Sequence, residues 1–368
     1  MRISRTMRTS RGRDRTSRRG RRLGEALLAA AILAVAMSAR AHAAEAPKGI
    51  KPDAPCATAA CHADILQLKN IHAPAAANEC TACHKQKGSL HQFTLAAKGA
   101  ELCAGCHGPL DKKKVLHKPV GEDCFTCHNP HGSDNKDFLV APVPDLCSNC
   151  HEVAKEIAKG KTSHSIGLEG KACLACHDPH TSDFENLLPA KPMATCLQCH
   201  GQAIIRKGRT IPNVLIEIVA AKSVHGPIQD ENCGACHAPH ASAQIALLAA
   251  AYPATFYAPF TPDAYALCFQ CHDPSLATEL DTKGATGFRN GTRNLHAVHV
   301  NDKVKGRTCR ACHAPHGAAL PHLIRATVPF GPSGWPLPIR FKETKTGGGC
   351  APGCHVPRAY DRENPVKE

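Results

Sequence analysis

All 22 cysteines of this 368-residue chain occur in pairs, and a histidine directly follows the second cysteine of every pair. Nine pairs have two residues between the cysteines and read C-x-x-C-H: Cys80/Cys83/His84, Cys103/Cys106/His107, Cys124/Cys127/His128, Cys147/Cys150/His151, Cys173/Cys176/His177, Cys196/Cys199/His200, Cys233/Cys236/His237, Cys268/Cys271/His272 and Cys309/Cys312/His313. Two pairs are stretched, with four residues inside Cys56/Cys61/His62 and three inside Cys350/Cys354/His355. The chain therefore repeats one local chemistry, two thiols beside one imidazole.

C-x-x-C-H is the attachment signature of haem c. The two thiols add to the two vinyl groups of one haem, and the adjacent histidine lies under the iron as its first axial ligand. The sequence predicts about eleven covalent haem c groups. All 22 cysteines are then attachment residues, and the proximal ligands are His62, His84, His107, His128, His151, His177, His200, His237, His272, His313 and His355.

Two other uses of paired cysteines explain the pattern less well. A disulfide scaffold is common in cysteine-rich exported chains, but it does not require a histidine after each pair. Zinc ribbons need two cysteine pairs per metal and no following histidine. The stretched pairs leave more room for a non-haem role, and a local disulfide is an alternative for Cys350 and Cys354.

The second axial ligand separates electron carriage from substrate chemistry, because an open iron binds small molecules. Methionine is too scarce to serve generally, since Met193 is the only one beyond the first 44 residues. Histidine is abundant enough, so we predict histidine on both faces of the irons. The distal candidates are His72, His91, His117, His131, His164, His180, His225, His240, His296, His299 and His316. His322 is a further histidine that this set leaves out.

These histidines recur in a unit that spans two haem motifs. Each unit has a plain C-x-x-C-H, then an upstream histidine, then C-x-x-C-H-x-P-H, and the units cover about 51–95, 100–140, 144–188, 193–248 and 265–325. The first unit is degenerate, with His91 in place of the last histidine. A histidine three residues after a proximal ligand lies on the same haem face, so we expect it to reach a neighbouring haem. The proline between them stiffens that reach, and the repeat indicates a tandem array.

The first 44 residues predict a cleaved export signal, with arginines, an apolar run and the small-residue sequence Ala41-His42-Ala43. No later segment has the length and apolar character of a membrane helix. We therefore expect a periplasmic protein, with outer-membrane association or an extracellular location as the alternatives. This segment carries much of the formal charge of +14, and haem propionates add negative charge to the remainder. Without a basic stripe or an aromatic platform, nucleic-acid binding is excluded.

The predicted fold is mostly coil with short α-helices, a haem-stapled array with little or no β structure. Short helices are expected over 145–159, 214–222 and 242–251. Two insertions, 201–222 and 245–265, are expected to cover haem edges, with partner docking as the alternative for the aromatic second one. Tandem haem-pair repeats fill 45–325, and 326–368 is expected to be a flexible or wrapping Pro/Gly-rich tail that carries the eleventh haem site.

The alternating C-x-x-C-H and C-x-x-C-H-x-P-H elements over 51–325 resemble the doubled-motif multihaem cytochromes c. Within that group the chain is most similar to the decahaem periplasmic conduit cytochromes of porin–cytochrome complexes. The resemblance implies bis-histidine haems that carry electrons from an inner-membrane, quinol-linked donor to an outer-membrane porin or surface cytochrome. The chain departs from that group in its eleventh site and its long later linkers. The four-residue spacing at Cys56/Cys61 also occurs in class III cytochromes.

The leading hypothesis for function is an electron carrier rather than an enzyme. One alternative is a multihaem reductase with one open haem site, although no C-x-x-C-K motif occurs. Another is the subunit of a conductive cytochrome filament. An electron carrier needs no general base or nucleophile, so no catalytic residue is predicted.

Overall fold

The structure is a computed structural model that describes residues 55–88, 91–108, 110, 112–164, 172–206, 208–331 and 333–367. The predicted export signal lies outside these residues. Within the described ranges, no helix combines the length and the apolar character needed to cross a membrane.

The described helices are short, as expected for a chain with 28 prolines and 28 glycines. They are α1 Ala73–Ala76, α2 Ala100–His107, α3 Lys118–Glu122, α4 Asp145–Ser148, α5 Val153–Lys159, α6 Pro192–His200, α7 Val214–Val219, α8 Gly226–Gln229, α9 Ala266–Phe269, α10 Ser275–Thr278 and α11 Leu295–Val300. The predicted helix over 145–159 is split in two around Cys150-His151, and the one over 214–222 ends earlier, at Val219. The predicted helix over 242–251 is wrong. That segment holds a 3-10 turn, Ile245–Leu247, in which Ala246 and Leu247 have positive φ angles.

The strands are equally short. They are β1 Asn70–Ile71, β2 His84–Gln86, β3 Phe93–Leu95, β4 Val115–Leu116, β5 Gly132–Ser133, β6 Thr162–Ser163, β7 Thr181–Ser182, β8 Ile204–Arg206, β9 Arg209–Ile211, β10 Ser223–Val224, β11 Ala241–Ser242, β12 Tyr257–Ala258, β13 Arg289–Asn290, β14 Arg293–Asn294, β15 Gly306–Arg307, β16 Gly317–Ala318, β17 Thr327–Phe330, β18 Trp335–Pro338, β19 Lys342–Glu343, β20 Gly347–Cys350 and β21 Arg358–Asp361. The antiparallel hairpin β2–β3 belongs to a separate compact unit. The structure confirms the predicted fold class, mostly coil with short α-helices and little β structure.

Four two-residue ladders join each repeat to the next. They pair β1 with β5, β4 with β7, β6 with β11 and β10 with β16, all antiparallel. In each ladder one strand lies just before an upstream histidine, and its partner follows the last histidine of the next C-x-x-C-H-x-P-H element. The ladders therefore link positions 61 to 95 residues apart, as in Ile71–Gly132 and Ser223–Ala318.

Protein side chains form a core only in the last third of the described chain. One cluster contains Tyr252, Phe260 and Tyr265, and Tyr265 is fully buried. The aromatic insertion over 245–265 therefore supplies core residues rather than a docking surface.

A second cluster contains Val328, Leu337 and Ile339, between β17 and β18 and the segment that follows. The three-stranded sheet β19–β20–β21 lies beyond it. This segment folds into two antiparallel sheets with a small core to which Phe256 and Ile324 also contribute. Of the two alternatives for the tail, the flexible one is therefore wrong, and the wrapping one stays a prediction.

Candidate haem-binding sites

The two kinds of motif adopt different local structures. The plain motifs begin in α-helices, as at Cys103 in α2 and Cys196 in α6. The second motif of each unit, which we call the doubled motif, forms a 3-10 turn instead. These turns are Cys80–Ala82, Cys124–Thr126, Ala172–Ala175, Cys233–Ala235 and Cys309–Ala311. In both kinds a backbone bond runs from the motif histidine to its first cysteine, as in His128 N–H to Cys124 O and His151 N–H to Cys147 O. This turn places both thiols and the imidazole together.

Motif histidines face distal candidates across a nearly constant gap. In the described residues, eight pairs of imidazole rings have centroids 5.9–6.4 Å apart. The pairs are His107–His72, His151–His117, His128–His180, His200–His164, His177–His240, His272–His225, His237–His316 and His313–His296. In most pairs the rings are close to parallel, within 10–34°.

This gap fits a metal ion held between two imidazoles. With metal–nitrogen bonds of about 2 Å on each side, as imidazoles form with zinc, and roughly 1 Å from nitrogen to ring centre, two ring centres lie about 6 Å apart. The residues present therefore fit six-coordinate iron with histidine on both faces.

The short ladders explain how each distal histidine reaches its place. The amide of an upstream histidine donates to the carbonyl of the last histidine in the next unit: His72 to His131, His117 to His180, His164 to His240 and His225 to His316, at 2.9–3.4 Å. Two imidazoles thereby leave the backbone side by side. In the β4–β7, β6–β11 and β10–β16 ladders each imidazole faces a different motif, so one ladder positions rings for two motifs.

The proline in C-x-x-C-H-x-P-H has a role that the sequence alone did not indicate. Its carbonyl accepts a hydrogen bond from Nδ1 of the upstream histidine, at 2.8 Å for His72 with Pro130 and for His117 with Pro179. Because Nδ1 is engaged, Nε2 is the nitrogen left to face the opposite motif. The signal was the fixed place of the proline in four of the five units.

The proximal histidines of the doubled motifs are oriented by a carbonyl nine residues later. Nδ1 of His128, His177, His237 and His313 bonds to the carbonyls of Asp137, Asn186, Ala246 and His322, at 2.7–3.0 Å. All four acceptor residues have φ angles of 51–56°. This left-handed conformation is uncommon for residues other than glycine, and here it turns the carbonyl toward the imidazole.

Burial keeps these imidazoles neutral, the form in which histidine binds a metal. Desolvation lowers the pKa of His164, His180, His200, His225, His237, His240, His299 and His313. The effect is largest at His296, where burial, followed by the neighbouring His313 and His299, lowers the pKa to about 4.

Neighbouring motifs lie close together through their cysteines, in sequence order. Within a unit the two first cysteines interact electrostatically: Cys56 with Cys80, Cys103 with Cys124, Cys147 with Cys173, Cys196 with Cys233 and Cys268 with Cys309. Between units, the second cysteine of a doubled motif interacts in the same way with the next motif: Cys83 with Cys103, Cys127 with Cys150, Cys176 with Cys199, Cys236 with Cys271, and Cys312 with Cys350 and Cys354. The motifs thus form one continuous file, and none of the 22 cysteines is in a disulfide.

The file lines a single large cavity. Its volume is ≈ 4290 Å³, and every motif from Cys80/Cys83 onward contributes at least one cysteine to its wall. Pockets for one small ligand measure roughly 300–1,000 Å³. A space of this size matches several macrocycles in contact rather than one substrate.

The first stretched motif contributes no cysteine to the cavity wall. Its second cysteine, Cys61, is exposed, as are Cys106, Cys150, Cys199, Cys271 and Cys354. The four residues between Cys56 and Cys61 close a turn: Cys61 N–H donates to Thr58 O at 3.2 Å, and Thr58 N–H donates to Cys61 O at 2.7 Å. Cys56 joins the file through Cys80. Haem attachment at Cys61 stays a prediction from the sequence.

The eleventh motif differs from the others because its first cysteine lies on a strand. Cys350 ends β20 and is paired with Arg358 of β21. His355 lies near enough to His299 to act on it electrostatically, and Nδ1 of His299 bonds to Leu295 O at 2.7 Å. Both histidines line the cavity, so the stretched motif belongs to the same file.

Other predicted residues have different surroundings. The ring of His91 lies edge-on to Phe93 within the β2–β3 hairpin, at 5.3 Å between centroids. The ring of His322 is 64% exposed and its Nε2 bonds to Glu343 at 2.8 Å, so only its carbonyl serves a motif. The structure leaves the roles of His62, His84 and His131 as predictions.

The comparisons with known proteins agree with this geometry. A family model described as the doubled CXXCH motif matches residues 72–112, 117–156, 164–204, 225–276 and 301–330. Together these segments make up a little more than half of the chain. A search of curated proteins finds no match.

Proposed function

Because the chain belongs to the doubled CXXCH motif family, we propose that it is a multihaem c-type cytochrome that passes single electrons along about eleven covalent haems. Haem iron supplies the one-electron couple. The observation that carries the proposal is the continuous file of motifs, in which the cysteines of each motif lie close enough to those of the next to interact electrostatically, from Cys56 to Cys354. A carrier needs this adjacency, whereas an enzyme needs only one reactive centre.

We infer histidine ligation on both faces for the eight sites with opposed rings. Distal ligands are then His72, His117, His164, His180, His225, His240, His296 and His316. Ligation by two histidines leaves the iron low in potential and closed to small molecules, which favours carriage over reduction of a substrate.

The eleventh haem is proposed to lie between His355 and His299. Elsewhere an upstream histidine faces the plain motif of the next unit, as His225 faces His272. His299 has this upstream place before the stretched motif. It is partly buried, and desolvation lowers its pKa, as it does for the upstream histidines His164 and His225. His296 then remains for the last doubled motif, where it faces His313.

The cellular route follows from the predicted export signal and the family resemblance. We propose a periplasmic protein that takes electrons from an inner-membrane, quinol-linked donor. The acceptor is an outer-membrane porin complex or a surface cytochrome. Removal of residues 1–44 from the exported protein would support this placement.

Intact mass and electron uptake of the exported, purified protein test the proposal. We expect a mass that corresponds to eleven haems and an uptake of about eleven electrons per chain in a reductive titration, one per haem. Ten haems, with the C-terminal peptide unmodified, would remove the eleventh site, and an unmodified Cys61 peptide would remove the first. A substantial high-spin signal in electron paramagnetic resonance of the oxidised parent protein would instead favour a reductase.

Replacing one distal histidine tests the ligand assignment. His180→Ala should make one haem high-spin, because His180 faces His128 across 6.0 Å. His322→Ala is the matched control and should leave all haems low-spin, since that ring bonds to Glu343. A low-spin spectrum for His180→Ala would contradict the assignment.

A further inference from the structure

One opposed imidazole has a charged partner. Nδ1 of His316 lies 2.9 Å from Oε2 of Glu217. Elsewhere the partners described for Nδ1 of ring-paired histidines are neutral: backbone carbonyls for His72, His117, His128, His177, His237 and His313, and the Thr286 hydroxyl for His296. Because His316 faces His237, Glu217 acts on the haem site of Cys233 and Cys236.

The fold fixes Glu217 in this position. It lies on α7, whose first turn is capped by Asn213 Oδ1 accepting from Ile216 N–H at 3.1 Å. The helix packs closely on β16, since a Cβ at Gly317 would lie 3.2 Å from Glu217 O and 2.6 Å from the Ala221 Cβ. The side chains of Glu217 and His316 are 37% and 27% exposed, so the contact is partly shielded from water.

The insertion over 201–222 therefore has a function beyond covering a haem edge. Its apolar residues are partly turned to solvent, with Ile205 79% and Val219 70% exposed. Glu217 instead lines the cavity. The hydrogen bond with His316, followed by the charges of Arg325 and Arg310, lowers the pKa of Glu217.

A second repeat provides a weaker version of the same arrangement. Glu156 on α5 lies eight residues before His164, as Glu217 lies eight residues before His225. Its charge acts on His240, the counterpart of His316. In one repeat the carboxylate is hydrogen-bonded to the distal imidazole, and in the adjacent repeat it interacts with that imidazole only electrostatically.

We propose that Glu217 lowers the reduction potential of the haem attached at Cys233 and Cys236. When Nε2 faces iron, Nδ1 carries the proton and donates it in the hydrogen bond to the carboxylate. This bond makes the imidazole a stronger electron donor and so stabilises oxidised iron. This inference rests on the proposed bis-histidine cytochrome. It implies that a less readily reduced haem lies in the fourth of the five units.

Spectroelectrochemical titration of the full-length holoprotein tests this inference. Glu217→Gln should change the oxidised-to-reduced ratio of one haem about tenfold toward reduction, which is 59 mV for a one-electron couple. The haem content and the low-spin spectrum should stay as in the parent. Glu217→Asp keeps the charge but shortens the side chain, so it should shift the same haem in the same direction.

The control is Glu231→Gln. Glu231 precedes the same motif by two residues but pairs with Lys191 at 3.2 Å, so its loss should move the potential much less. Equal shifts for Glu231→Gln and Glu217→Gln, or no shift for Glu217→Gln, would overturn the inference. Loss of haem or of low-spin character in the parent would instead defeat the cytochrome proposal. If Glu217→Gln alone lost haem, an unchanged potential in Glu217→Asp would decide against the hydrogen bond.

Discussion

The repeats over 56–248 and the region over 251–361 have different interiors. In the first, the buried residues are few and mostly small, such as Ala57, Ala172 and Ser182. In the second, Tyr265 and Leu337 anchor two side-chain clusters. Apolar burial is the main stabilising contribution to a fold, so the first region depends on its cofactors while the second region has a protein core of its own.

Omitting haem attachment should have the largest effect and should divide the chain at this boundary. We expect the reduced apoprotein to lose protected amides over 56–248, because two-residue ladders cannot hold repeats together alone. Residues 251–361 should keep part of their protection. Hydrogen–deuterium exchange of apoprotein and holoprotein measures this difference, and equal protection in both regions would break the comparison.

Tyr265→Ala should give the next largest loss of stability, and the loss should be confined to the region over 251–361. Removing a fully buried aromatic ring typically costs about 3–5 kcal/mol of unfolding free energy. Tyr265→Phe is the matched control. It keeps the ring and removes a hydroxyl that has no hydrogen-bond partner among the described residues, so it should change stability by about 1 kcal/mol or less. Denaturant unfolding followed by exchange at 251–361 reports both values, and similar losses in the two variants would argue against a packed core.

Two glycine substitutions sharpen the comparison at a smaller scale. A Cβ at Gly347 would lie 1.9 Å from Tyr360 O, and one at Gly132 would lie 2.3 Å from Asn70 O. Each alanine variant should cost about 1–3 kcal/mol by displacing a paired strand. Gly347→Ala should reduce amide protection over 251–361 even in the apoprotein. Gly132→Ala should reduce amide protection over 56–248 only in the holoprotein.

Gly284→Ala is the control for both, because nothing lies within 4 Å of its Cβ position, and its effect should stay within about 0.5 kcal/mol. A haem-independent loss in Gly132→Ala would show that the first region folds by itself.

The family and the fold class were within reach of the sequence, because the spacing of Cys124, Cys127 and His128 allows little else. The choice of partner was not. His296 and His299 both line the cavity, so which of them faces His313 depends on how α11 is placed against that motif, and no local pattern encodes that. The core of the C-terminal region was also missed, since the prolines and glycines of 326–368 indicate loops. There, Gly347 to Gly349 instead permit close strand pairing with Tyr360 and its neighbours.

The charged partner of His316 could have been noticed as an acidic residue, Glu217, eight positions before a distal candidate. Its significance depends on the β10–β16 ladder, which brings His316 to α7 from 99 residues away. Long-range pairing of this kind is invisible to periodicity arguments, which describe one segment at a time.

The crossed arrangement of the opposed rings has a consequence for how such a chain lengthens or shortens. His128 receives an imidazole from the following unit, while His151 takes one from the preceding unit. Duplicating an internal unit in frame leaves every distal histidine opposite a motif histidine. Truncating the chain between two units removes the histidine that faces the doubled motif of the unit before the cut. In the unit over 265–325, by contrast, His296 faces His313 of its own unit, so this doubled motif is faced by an imidazole without a following unit.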